Sequence, residues 1–249
     1  MSADHFADLD FEGFRKLALD DSLSPHEKVG FPDSYRAGKE DSILRDVGAK
    51  LTRLGGPPGR VLEVGPGCGP VARGLIDLCG ERGHRLDLID SSEMLALLPE
   101  APFLSKIAGR FPGECRSFVE GNRGAFDAIL VYSVLQYVFR EGSAFDFLDA
   151  CLSLLADGGQ LLIGDLPNQS MRRRFFSSPA GVRHHQLFTG TEEVPEVDPQ
   201  APVPGLIDDA VVVGLFLRAR AAGYDAFVVP QADDLPMANR REDLLVRKP

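Results

Sequence analysis

Residues 61–70 read VLEVGPGCGP. Gly65, Gly67 and Gly69 alternate there, Glu63 stands two positions ahead of the first, and an apolar run leads in. Glycine lets a backbone turn tightly and approach a ligand, and a helix that begins just after such a loop offers unpaired N–H groups. Asp90 follows about 20 residues later, at the end of a second apolar run, where a carboxylate can accept both hydroxyls of a ribose. The spacing departs from the GxGxxG of dinucleotide-binding loops, since the third glycine comes one residue early and Pro70 holds its place. No GK[ST] follows, which excludes a P-loop. Groups able to take a proton stand further along: Tyr137, Asp165 at the end of a strand-like run, and the pair His184 and His185 in GVRHHQLFTG. Arg172, Arg173 and Arg174 in MRRRFF, and Arg240 and Arg241 in DLPMANRRED, could receive a phosphate or carboxylate on a substrate.

The elements that must position these residues alternate in type. A polar N-terminal segment, 1–55, contains a helical stripe through Ile43, Leu44, Val47, Leu51 and Leu54, with Asp41 or Ser42 able to cap it. GGPPG then breaks the chain. RVLEV reads as a buried strand, GPVARGLIDLC as a helix, and RLDLID as a second strand. SSEMLALL reads as a short helix capped by Ser91 or Ser92. APFLSKIAGRF holds a third strand and FDAILVYS a fourth. SAFDFLDACLSLL is an amphipathic helix closed by ADGG, and GQLLIGDL a fifth strand. Such alternation predicts a parallel sheet with helices on both faces. Residues 167–205 carry several prolines and no clear period, so an irregular insert is expected there. A long helix follows, then AFVVP and EDLLVRKP with no helix between them, which predicts an antiparallel hairpin.

The chain has 249 residues, a net charge of −10 and 44% hydrophobic residues, enough to bury a core. An acidic chain without a basic stripe is ill suited to gripping nucleic acid or an anionic membrane. The four cysteines show no CxxC pair or metal-type spacing with histidine, so neither a disulfide framework nor a metal is expected. Reduced thiols, an acidic N-terminus without a signal-peptide core, and the lack of any membrane-length apolar run together predict a cytoplasmic protein.

Four stretches in order, VLEVGPGCGPVARGL, LDLIDSSEML, FDAILVYSVLQYV and LLADGGQLLIGD, resemble the successive motifs of class I S-adenosylmethionine-dependent methyltransferases. The likeness covers roughly 60–165 plus the terminal hairpin. It implies an α/β, Rossmann-like, seven-stranded doubly wound sheet with an antiparallel terminal hairpin and helices on both faces. It also implies S-adenosylmethionine as cofactor and S-adenosylhomocysteine as product. Glu63, Gly65, Gly67 and Gly69 would hold the methionine part. Asp90 would serve the ribose and Met94 the adenine ring, Ser91 would join the cofactor-binding residues, and Tyr132 and Ser133 would border the methyl group and the acceptor. Many members carry an acid after the third strand; here that region reads AGRFPGE, so no side chain is assigned to the adenine amine. Tyr35 and Arg36, in FPDSYRAGKED, could clasp the methionine carboxylate.

The organisation expected is an N-terminal helical segment, 1–55, covering the cofactor site, and a methyltransferase domain, 56–249, with a lid-like insert at 167–205. The activity expected is methyl transfer to a small-molecule acceptor. YSVLQYVF, GDLPNQSMRRRFF and DLPMANRRED are similar to a bacterial subgroup of sugar or surface-polysaccharide biosynthesis, which implies a sugar or nucleotide sugar as acceptor. A homodimer is compatible with this reading. The competing readings are an NAD(P)-dependent oxidoreductase and a non-catalytic S-adenosylmethionine-binding protein.

Overall fold

The computed structural model describes residues 9–32, 37–198 and 204–249. Seven strands among them form one sheet: β1 (Arg60–Val64), β2 (Arg85–Asp90), β3 (Leu104–Ala108), β4 (Phe126–Tyr132), β5 (Leu155–Pro167), β6 (Asp225–Pro230) and β7 (Arg241–Arg247). Their order is β3-β2-β1-β4-β5-β7-β6. The first five strands run parallel, and β7 is antiparallel to both β5 and β6. The expected terminal hairpin is therefore present, with β7 inserted beside β5.

β1 is buried along nearly its whole length, as an apolar strand covered on both faces must be. Alternate residues serve opposite layers. Val61 packs with Ile43 and Val47 of α3 (Glu40–Lys50) and with Leu75 and Ile76 of α4 (Pro70–Arg82). Leu62 and Val64 pack on the other side with Phe147 and Leu148 of α8 (Ala144–Leu154) and with Val212 and Leu215 of α11 (Asp209–Ala221). Two further helices, α1 (Phe11–Leu19) and α2 (Pro25–Lys28), precede α3. Short helices α5 (Ser92–Ala96), α6 (Arg116–Gly121) and α7 (Leu135–Glu141) follow β2, β3 and β4.

Two local expectations need correction. The insert is not irregular throughout, because it folds into α9 (Gln169–Phe176) and α10 (Pro179–Thr189). Asn168 caps α9 by accepting N–H bonds from Ser170 and Met171, and Ser178 caps α10 ahead of Pro179. Proline at a first helical position initiates a helix, since it lacks only an N–H that would be unpaired anyway. Neither Asp41 nor Ser42 caps α3: the cap position is Lys39 without a side-chain bond, and the Ser42 hydroxyl donates to Asp234 Oδ2 at 2.9 Å.

Candidate active site

The glycine loop leaves β1 at the carboxyl end of the sheet and enters α4 with Gly69 at its cap and Pro70 inside the first turn. Gly65 and Gly67 have φ of +72° and +63°, a region that favours glycine. A Cβ added to Gly65 would lie 2.5 Å from Val134 Cγ2, and one on Gly67 2.5 Å from Val29 Cγ1. Backbone sign and neighbouring valines thus both require glycine at these two positions.

The loop is tied to the end of β2. Gly65 N–H donates to the Ile89 carbonyl at 2.8 Å, and Gly67 N–H donates to Asp90 Oδ2 at 2.8 Å. Ser91 N–H donates to Asp90 Oδ1 at 2.7 Å. Burial pushes the Asp90 carboxyl up to about 6 against these two N–H bonds. Glu63 is 3% exposed, and its Oε2 has no hydrogen-bond partner. Burial first, and the Asp90 charge second, push its carboxyl up to about 8. Two carboxyls therefore share one dry corner at the strand ends, one of them with a buried acceptor atom unmatched.

A cavity of about 520 Å³ opens from this corner. Glu63, Gly65, Gly67, Gly69, Asp90, Met94, Tyr132, Ser133 and Tyr137 all line it. Ser91 does not; it is buried, and its hydroxyl accepts the Met94 N–H at 3.2 Å as the cap of α5. Tyr35 and Arg36 lie outside the described residues.

The remaining walls come from the N-terminal helices and the loop after β3. At the β3 end, Arg110 pairs with Glu141 at 3.1 Å, and its guanidinium lies 4.8 Å from the centre of the Phe11 ring. Phe11 N–H donates to Glu141 Oε1 at 3.0 Å, and Phe14 meets Tyr137 edge to face at 4.8 Å. α1 is held over the cavity on its other flank by Arg15, which donates to both carboxylate oxygens of Glu93. Over the glycine loop, Val29 touches the Gly67 and Gly69 positions, and His26 Nε2 lies 2.6 Å from Glu40 Oε1. Glu40 sits below its ordinary value: burial opposes this, and backbone N–H groups and the His26 ring outweigh it.

The other sequence-predicted residues are placed elsewhere. His184 and His185 do not line the cavity; they lie on α10 against Phe175 and Phe176, with ring centres 5.5 Å (His184–Phe175) and 6.3 Å (His185–Phe176) apart. Asp165 is buried beneath the site. Its carboxylate accepts from the Ser133 hydroxyl and pairs with Arg241 at 2.6 Å. Its N–H donates to Asp243, which also receives Lys50. Arg174 pairs with Asp209 at 2.6 Å. Arg172 and Arg240 lie over the ring of Phe176, at 5.2 and 5.5 Å, and Arg173 is half-buried on the same helix as Arg172. Each of Arg172, Arg174, Arg240 and Arg241 thus has a partner within the chain.

Sequence reading missed Phe11, Phe14, His26, Glu40, Arg110 and Glu141. His26 and Glu40 belong to separate helices at no motif spacing, so only the tertiary fold joins them.

Among the described residues no cluster of three or more His, Cys, Asp or Glu side chains is placed to hold a metal, and no helix is long and apolar enough to cross a membrane. No protein-family description matches the sequence, and no curated protein does. Solved structures do. The N-methyltransferase NodS from Bradyrhizobium japonicum WM9, in complex with S-adenosylhomocysteine, superposes with a TM-score of 0.54 at 16% identity over 96% of this chain and 98% of that one. An S-adenosylmethionine-dependent methyltransferase from Archaeoglobus fulgidus gives 0.53 at 13% identity over 87% and 97%. One from Aquifex aeolicus gives 0.52 at 16% over 90% and 98%. With its strand order and inserted antiparallel β7, the chain has the class I S-adenosylmethionine-dependent methyltransferase fold.

Proposed function

We propose that this chain transfers a methyl group from S-adenosylmethionine to a small-molecule acceptor. The observation that carries the reading is the Glu63–Asp90 corner: a buried carboxyl with an unmatched oxygen, beside a second carboxyl, at the mouth of the glycine loop. The residues fit the cofactor. An ammonium would satisfy Glu63 Oε2 and supply the positive charge that two adjacent carboxyls lack. Asp90 gives one lone pair on each oxygen to a backbone N–H and keeps others for ribose hydroxyls. Met94, at the cavity wall, offers a polarizable surface for a purine. Bound here, S-adenosylmethionine supplies a methyl group on a positively charged sulfur, already activated for in-line displacement. The protein's own task is then to orient the acceptor and exclude water. Phe11 and Phe14 of α1, and Phe31, do the second by roofing the cavity with apolar surface.

The acceptor screened first is a sugar, free or nucleotide-linked. Its support is the sequence likeness; the arginines that would have favoured an anionic sugar have partners elsewhere in the chain.

The test is calorimetric titration with S-adenosylhomocysteine, with NADH as the parallel control. Micromolar binding of the former alone is expected. NADH binding without it would replace the proposal with an oxidoreductase. Tight binding, with no methyl transfer to any acceptor, would leave a non-catalytic binding protein.

A further inference from the structure

The groups proposed for the methyl donor stand at the ends of β1 and β2, and the next strands on the other side of β1 are β4 and β5. The part of the cavity over β4 and β5 is therefore left for the acceptor. Its walls are rings and aliphatic carbon. Tyr132, the last residue of β4, packs in one cluster with Ile43 of α3. Tyr137 of α7 meets Phe14 of α1 edge to face. Phe31 lies against Arg241, with the guanidinium 5.9 Å from its ring centre, and Arg241 pairs with Asp165 of β5. All five of these apolar or aromatic side chains line the cavity.

We propose that the methyl acceptor is a neutral aromatic compound, bound with its ring among Phe14, Phe31, Ile43, Tyr132 and Tyr137, and not the sugar that the sequence likeness implies. It rests on the methyltransferase reading. Three observations carry it. First, aromatic walls hold a flat ring in offset-stacked or edge-to-face contact, which fixes its orientation as well as its depth. Methyl transfer needs the attacking atom held in line, and a flexible aliphatic chain of equal area would slide. Second, the polar side chains on this side are held within the chain. Glu40 holds His26, the Ser133 hydroxyl donates to Asp165, and Tyr132 and Tyr137 have partners in the chain as well. A sugar carries a hydroxyl on nearly every carbon, and each one taken from water needs a partner. A hexose here would break those bonds or bury hydroxyls unmatched; an aromatic ring requires neither.

Third, the charges are placed wrongly for a nucleotide sugar. Its diphosphate would meet Glu40, on the same helix as Ile43, while Arg241 behind Phe31 is paired with Asp165. The arginines that line the cavity among the described residues, Arg110 and Arg116, follow β3, at the opposite end of the parallel strands from β5. In the transfer, an oxygen or nitrogen on the ring gains the methyl carbon and loses its proton to solvent. Sulfur keeps the electron pair of the broken C–S bond and becomes a neutral thioether.

The test uses the whole chain saturated with S-adenosylhomocysteine and titrated calorimetrically with naphthol, with glucose and with UDP-glucose. Naphthol is expected to bind about 30-fold or more tightly than either sugar. Phe31→Ala should weaken naphthol binding by about tenfold or more, and Phe31→Leu, which keeps apolar volume without the ring, by about threefold. Both variants should keep S-adenosylhomocysteine affinity within about threefold of wild type, since Phe31 lies over β5 and β7 rather than β1 and β2. With labelled S-adenosylmethionine and a panel of phenols, indoles, anilines, hexoses and nucleotide hexoses, the label should pass to aromatic members. Naphthol binding no tighter than sugar binding, or unmoved by both Phe31 variants, would overturn the proposal. So would transfer to sugars alone or to none of the aromatic members. Failure of S-adenosylhomocysteine to bind at all would overturn the methyltransferase reading instead.

Discussion

Glu63 gives the sharpest quantitative expectation, because its environment penalises its charge and a cationic ligand would remove the penalty. With its carboxyl near 8 in the free protein, Glu63 is about nine-tenths protonated at pH 7. A ligand ammonium at Oε2 would draw the carboxyl back toward its ordinary value. Binding of S-adenosylhomocysteine at pH 7 should therefore release about one proton, to which Asp90, near 6, adds a little. Below pH 8, affinity should fall by up to about tenfold per pH unit, so pH 6 should bind roughly 50-fold more weakly than pH 8. The assay is titration calorimetry at pH 6, 7 and 8 in phosphate and in Tris, whose ionisation enthalpies differ enough to count protons. Glu63→Gln should bind more weakly and lose most of the pH slope. The free protein responds with the opposite sign. A carboxyl raised on folding binds more protons folded than unfolded between its ordinary value and about 8, so its stability contribution is lost as pH rises through that window. Full ionisation would cost roughly 5 kcal/mol. Even a third of that would raise the Tm of ligand-free Glu63→Gln above wild type by about 3–6 °C at pH 8. Equal heats in the two buffers with pH-independent affinity, or a stability gain of Glu63→Gln over wild type that is no larger at pH 8 than at pH 5, would refute the reasoning.

Asp90→Ala should weaken S-adenosylhomocysteine binding by roughly 10–100-fold, the worth of one or two charge-assisted hydrogen bonds, read by the same titration. Gly67→Val should weaken it more than about tenfold while circular dichroism stays native, since the side chain meets Val29 at a positive φ. Asp165→Asn and Arg241→Met should each lower stability by about 3–5 kcal/mol in denaturant melts, because each breaks a buried ion pair by removing one partner. The double variant should recover part of the loss. Arg174→Ala should change stability by no more than about 1 kcal/mol, since its pair with Asp209 is exposed.

What the sequence made legible follows its periodicities. β1, the glycine loop and β2 could be read because buried parallel strands are short continuous apolar runs and the ligand corner lies where they end. The hairpin could be read from two apolar runs without a helix between them. The insert could not, because several prolines and no clear period suggest irregular chain, whereas Pro179 stands at a helix start behind the Ser178 cap. The arginine run misled for a geometric reason. Successive residues on a helix point about 100° apart, so Arg172 and Arg174 leave α9 toward different partners, Phe176 and Asp209. Asp165 does not end its strand, since β5 runs on to Pro167 past a break in register with β7, and its φ of +61° and the Ser133, Arg241 and Asp243 bonds turn it inward. His26 and Glu40 carried no signal at all, since only the packing of α2 on the glycine loop and α3 on α4 brings them together.

These differences divide the site by origin. The groups proposed for the methyl donor sit on the ends of β1, β2 and β4, where registers with neighbouring strands fix them. The remaining cavity walls come in part from α2 and α3, which are seated by side-chain contacts such as Val29 on Gly67 and Leu44 at Gly74. Sheet register does not tolerate slippage without turning every side chain to the other face, whereas a helix seated by a few aliphatic contacts can be resurfaced at modest cost. Substitutions that change which acceptor is used should therefore be found in the segment before β1. Substitutions that abolish donor binding should be found at the strand ends. A segment exchange that moved donor affinity and acceptor choice together would contradict that division.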